Sequence, residues 1–102
     1  MSLVYTIQVA KDHAQVTATW NITVDNPELI ASFTLNVEGK ALDTNCSSGN
    51  SQCSGAAQAT LSKPDQDCPV SFVIMTNAPE EKHGDDVLRG NRTFDDVEFE
   101  NS

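Results

Sequence analysis

A chain of 102 residues, 38 % apolar and 21 % charged, has the length of one domain and apolar side chains for one modest core, so residues 1–102 are read as a single domain. Fifteen acidic residues against six Lys and Arg give a net charge of −9, which excludes the basic footprint of a nucleic-acid binder and sets the chain against anionic membrane surfaces. No run of about 18 apolar residues occurs, so no membrane-spanning helix is expected.

Period-two alternation of apolar and polar residues dominates the chain, the pattern of strands with one face in a core and one in water. The first predicted strand places Leu3, Tyr5, Ile7 and Val9 on one face. After the turn Lys11-Asp12-His13, the second places Val16, Ala18, Trp20, Ile22 and Val24 inward, with Thr and Asn between them. Asp25-Asn26-Pro27-Glu28 carries turn chemistry, and the third strand follows with Ala31, Phe33, Leu35 and Val37. Glu38-Gly39-Lys40 is a tight turn, with a short extra strand near Ala41 to Thr44. Cys46 to Gly55 is read as a Ser/Gly/Asn-rich loop, and a short strand then lines up Ala57, Ala59 and Leu61. Val70 to Met75 is apolar on both parities and suits a central strand. Ala78 to Asn91 is read as a long polar loop, and Thr93 to Glu100 as a last strand with Val97 and Phe99 inward. Six or seven short strands with no helix predict an all-β, antiparallel sandwich.

No basic n-region followed by an apolar stretch is visible at the N-terminus. The chain is therefore either cytosolic or a domain of a longer precursor, whose other domains would then be partners. Asn21, Asn45 and Asn91 each open an N-x-[ST] triplet. Eight Asn and eighteen Ser or Thr would produce about one or two such triplets by chance. Together with the three cysteines and the acidic charge, these glycosylation candidates point to an extracellular, periplasmic or cell-surface setting.

Signatures of common chemistry are missing: there is no G-x-S-x-G, phosphate-binding Gly loop, H-E-x-x-H or EF-hand pattern. His13 and His83 fall in predicted loops with no partner signalled, and Cys68 has no base nearby in sequence. No enzyme is expected, a fragment of a secreted enzyme using Cys68 or a histidine being the rival reading. Paired acids (Glu80-Glu81, Asp85-Asp86 and Asp95 beside Asp96) supply the hard oxygen ligands that Ca²⁺ takes. Glu80, Glu81, Asp85, Asp86 and Asp95 are thus candidate ligands for a calcium-dependent adhesion or accessory domain. The rival reading is a solvated acidic rim that guards an edge strand, with no cofactor. Sugar binding needs exposed aromatics, and Tyr5, Trp20, Phe33, Phe72 and Phe99 fall on inward parity with only Phe94 undecided, so no sugar-binding platform is expected.

The order of features resembles a fibronectin type III or immunoglobulin-like domain. Trp20 stands in the second strand, Asn26-Pro27 follows it, and the third strand ends at Gly39-Lys40. Leu61, Pro64, Val70, Phe72, Ile74 and Asn77 match the spacing around the family's sixth strand, with Cys68 where the family carries a corner Tyr. The resemblance implies a non-enzymatic spacer or protein-recognition module. It would put Cys68 at the start of the sixth strand, at the end that holds the Gly39 turn. Cys46 and Cys53 would lie together at the opposite end, as a disulfide pair, the alternative being three reduced thiols. By the same analogy, recognition falls to one cluster of loops, Asp25, Asn26 and Glu28 with His83, Asp85, Asp86 and Arg89, and an acidic cluster calls for a protein partner with a basic patch. The triplet Arg89-Gly90-Asn91 lacks the final acid of an integrin-binding Arg-Gly-Asp and is read as coincidence.

Overall fold

The computed structural model describes residues 3–25, 29–78 and 80–101. Among them are eight strands and no helix: β1 (Leu3–Asp12), β2 (Gln15–Val24), β3 (Ile30–Val37), β4 (Lys40–Ala41), β5 (Gln52–Thr60), β6 (Cys68–Thr76), β7 (Glu81–Leu88) and β8 (Phe94–Glu100). They form two four-stranded antiparallel sheets, ordered β5-β2-β1-β8 and β4-β3-β6-β7. The inward residues of both sheets make one buried core, an arrangement compatible with a β-sandwich.

Alternation in the sequence translates directly into burial. In β2, Val16, Ala18, Trp20, Ile22 and Val24 are buried and every residue between them is exposed. The sheets meet through aromatic contacts: Trp20 to Phe33 at 5.7 Å between ring centroids, Tyr5 to Phe72 at 5.2 Å and Phe72 to Phe99 at 4.8 Å. β6 lies between β3 and β7 as a central strand, as its two-sided apolar run requires.

Two sequence expectations are corrected. The strand count is eight rather than six or seven, because residues 81–88, expected within a loop, form β7 along the whole of β6, from Met75↔Glu81 to Cys68↔Leu88. This strand sits at a sheet edge, where its Glu, Lys, His and Asp side chains reach water, so backbone pairing rather than apolar alternation forms it. Gly84 makes the position possible. A Cβ there would stand 2.8 Å from a ring carbon of Phe72 and 3.4 Å from one of Phe99. The second correction is at β5, which begins at Gln52, so Cys53 belongs to a strand rather than to the preceding loop. Ile22↔Cys53 is part of its register with β2.

Candidate functional site

The loop cluster expected at one end is divided by the fold. Asp25 directly follows β2, while Asn26, Pro27 and Glu28 lie outside the described residues. His83, Asp85 and Asp86 are strung along β7, opposite Val73, Ser71 and Val70, and are strand residues rather than loop residues. Arg89 stands at the opposite end, 3.7 Å from Asp67. The calcium candidates are divided in the same way. Glu80 and Glu81 stand where β7 begins, whereas Asp95 pairs with Lys11 at the far end of the other sheet. Among the described residues no group of three or more His, Cys, Asp or Glu could hold a metal ion.

A different feature occupies the end that holds the β1–β2 turn. There a cleft of about 390 Å³ is lined by Lys11, His13, Ala14, Pro64, Asp65 and the segment Gly90–Thr93. Lys11 continues the inward parity of Leu3, Ile7 and Val9 and is only 4 % exposed. Its ammonium donates to the carbonyls of Pro64 at 2.8 Å and Arg89 at 2.9 Å, which satisfies the buried charge and ties two loops to β1. Gly90, in the Arg89 loop, lies flat on the Pro64 loop. A Cβ there would fall 2.3 Å from the Gln66 carbonyl carbon, and its N–H donates to Asp67 at 2.9 Å.

Asp95 accepts from the Arg89 N–H at 2.8 Å and from the Arg92 guanidinium at 3.3 Å. The Arg89 N–H, chiefly, holds its pKa below the usual carboxylate value. Glu38, with φ of 57° in the β3–β4 turn, accepts from the backbone N–H groups of Ser62 and Lys63 and from the Ser62 hydroxyl. The Ser62 N–H is the main reason that its pKa also lies low. Beside the cleft, Phe94 is 66 % exposed and meets the edge of His13 at 5.4 Å. His13 is in turn 2.6 Å from Asp12.

Cys68 is buried at this same end, and desolvation pushes its thiol pKa up, the reverse of what a nucleophilic thiolate needs. Cys46 and Cys53 are joined at the other end, with Cα atoms 5.7 Å apart. Asn21, Asn45 and Asn91 are all exposed.

Sequence reasoning passed over Lys11, Glu38, Asp67 and Gly90 as site residues. Lys11 carried a visible signal, a cation on the inward parity of an otherwise apolar strand face. The other three act through loop backbone that no sequence period encodes. The arrangement can fix loops, present an exposed aromatic beside a polar cleft and exclude water from a thiol. Comparison with protein-family models, with curated proteins and with solved structures finds no match.

Proposed function

We propose that this chain is a non-enzymatic recognition or spacer module of a secreted or cell-surface protein, of the fibronectin type III or immunoglobulin-like kind. The strand partition carries the reading. Strands β1, β2 and β5 share one sheet and β3, β6 and β7 the other, as strands A, B, E and C, F, G do in immunoglobulin-type sandwiches. β8 is an addition, pairing with β1. The Cys46–Cys53 disulfide supports an oxidising compartment. The exposed Phe94 at the start of β8 gives a partner protein an apolar anchor beside loops tied down by Lys11, Glu38 and Asp95, and the net charge of −9 draws a partner with a basic patch.

Intact mass of protein from its native host, with and without reduction and thiol alkylation, tests the proposal. One bridge between Cys46 and Cys53, one alkylatable thiol at Cys68 and glycan on any of Asn21, Asn45 or Asn91 is the expected result. Three free thiols on a bare polypeptide would overturn the secreted reading.

A further inference from the structure

The two sheets end in four edges, and three of them are guarded. β7 carries Glu81, Lys82, His83, Asp85 and Asp86, and β8 carries Asp95, Asp96, Glu98 and Glu100. The outer edge of β3 is covered by β4 and by the Leu42 N–H bonding to the Leu35 carbonyl. β5 is different. Its nine residues, QCSGAAQAT, include no Asp, Glu, Lys, Arg, His or Pro, although 21 % of the chain is charged. Charge, proline and cover are the means by which proteins block strand addition at an edge.

The register fixes which backbone groups are open. Val24 N–H donates to the Ser51 carbonyl, and Leu61 N–H to the Ala14 carbonyl, at the two ends of the β2–β5 ladder. Bonded pairs alternate in an antiparallel ladder, so Cys53, Gly55, Ala57 and Ala59 direct their N–H and C=O groups to β2. Ser54, Ala56, Gln58 and Thr60 direct theirs outward, and all four residues are exposed.

We infer that the β5 edge from Ser54 to Thr60 pairs antiparallel with the same edge of a second copy of the chain, joining the two four-stranded sheets into one. A two-fold axis at Ala57 sets Ser54 opposite Thr60 and Ala56 opposite Gln58. Every open N–H and C=O of the segment then meets another, and no ionisable side chain faces one. A charged partner strand would find no counter-charge on β5, whereas the chain itself supplies a neutral strand of matching length. The small inward residues Gly55, Ala57 and Ala59 let the second backbone approach, with the Trp20 ring lying against Gly55 (3.1 Å from where its Cβ would be). Two chains of charge −9 repel at long range, so the dimer tightens as salt screens them.

Sedimentation over a wide concentration range at low and high salt tests this on the full oxidised chain. A reversible dimer, tightened by salt, is expected. Gln58→Lys and Ala56→Pro each break it by a different means, like charge near the axis and loss of an outward N–H that β2 does not use. Each should weaken dimerisation by about tenfold or more, equivalent to about 1.4 kcal/mol or more, with unchanged circular dichroism. Ala57→Cys should cross-link to itself, since directly opposed non-bonded pairs hold Cα atoms about 4.5 Å apart. Thr17→Cys, on the exposed face of β2, should not. A chain that stays monomeric at both salts, or a dimer indifferent to both β5 variants while they remain folded, overturns the inference. So does equal cross-linking at residues 17 and 57.

Discussion

At the scale of single residues, the polar groups that matter most here are those whose partners are backbone. Lys11 is the clearest case. Its stem lies in the core and its ammonium ends on the carbonyls of Pro64 and Arg89. Lys11→Met keeps the apolar stem and leaves both carbonyls without their charged donor. Hydrogen bonds to charged groups contribute about 1.5–3 kcal/mol, and an orphaned buried acceptor costs a similar amount. The variant should therefore lose about 2 kcal/mol, read from the urea midpoint at constant slope. Lys63→Met, on an exposed side chain at the same end, should stay within about 0.5 kcal/mol of wild type. Equal losses in the two variants would mean that Lys11 acts only as general positive charge.

At the scale of elements, strands with one buried face were legible in the sequence and the polar edge strand β7 was not. The first three strands follow from alternation because burial of one face is what forms them, and β6 from its apolar run. β7 has Lys82, Gly84 and Asp86 on its inward parity, a pattern that only its pairing with β6 explains. The site was less legible because its contacts follow no period: Glu38 acts on N–H groups of a loop distant in sequence, and Asp95 on the irregular loop just before its own strand. Glu38 joins the β3–β4 turn to the loop after β5, and its contribution is pH-dependent. Its folded pKa lies below the ordinary 4.5, so the folded state favours the carboxylate more than the unfolded chain does. That stability is fully present above the unfolded pKa and is lost as pH falls through the depressed folded value. Glu38→Gln should be less stable than wild type at neutral pH and show a shallower loss of stability on acidification. The two proteins should converge once the Glu38 carboxyl is protonated. Urea midpoints across the acid range measure this, and parallel curves for the two proteins would remove Glu38 from the account.

At the scale of the whole molecule, the body is 44 Å long and its two ends are held by different chemistry. At the cleft end the connections are polar: Lys11 to two carbonyls, Glu38 to Ser62 and Lys63, Asp67 to Gly90, Asp95 to Arg89. At the other end the segment that crosses from one sheet to the other is closed covalently, Cys46 to Cys53, across a sequence separation of seven. Closing so short a loop stabilises by about 2.5 kcal/mol in the chain-entropy view, a large share of the 5–15 kcal/mol typical of small domains. Cys53 is also packed in the core, 8 % exposed, and β5 keeps its full ladder with β2, so reduction should weaken the fold without dissolving it. The two ends should then fail separately. Reduction at neutral pH should lower the urea midpoint by about 2.5 kcal/mol of stability and speed amide exchange around residues 45–52, leaving residues 61–67 and 89–93 protected. Acid on the oxidised protein should do the reverse, because Glu38 and Asp95, whose pKa values folding lowers, lose their charge while the disulfide is indifferent to pH. Hydrogen exchange read by mass spectrometry under the two conditions distinguishes these patterns. Exchange that quickens everywhere under either treatment would mean that the ends are coupled through the core as one cooperative unit.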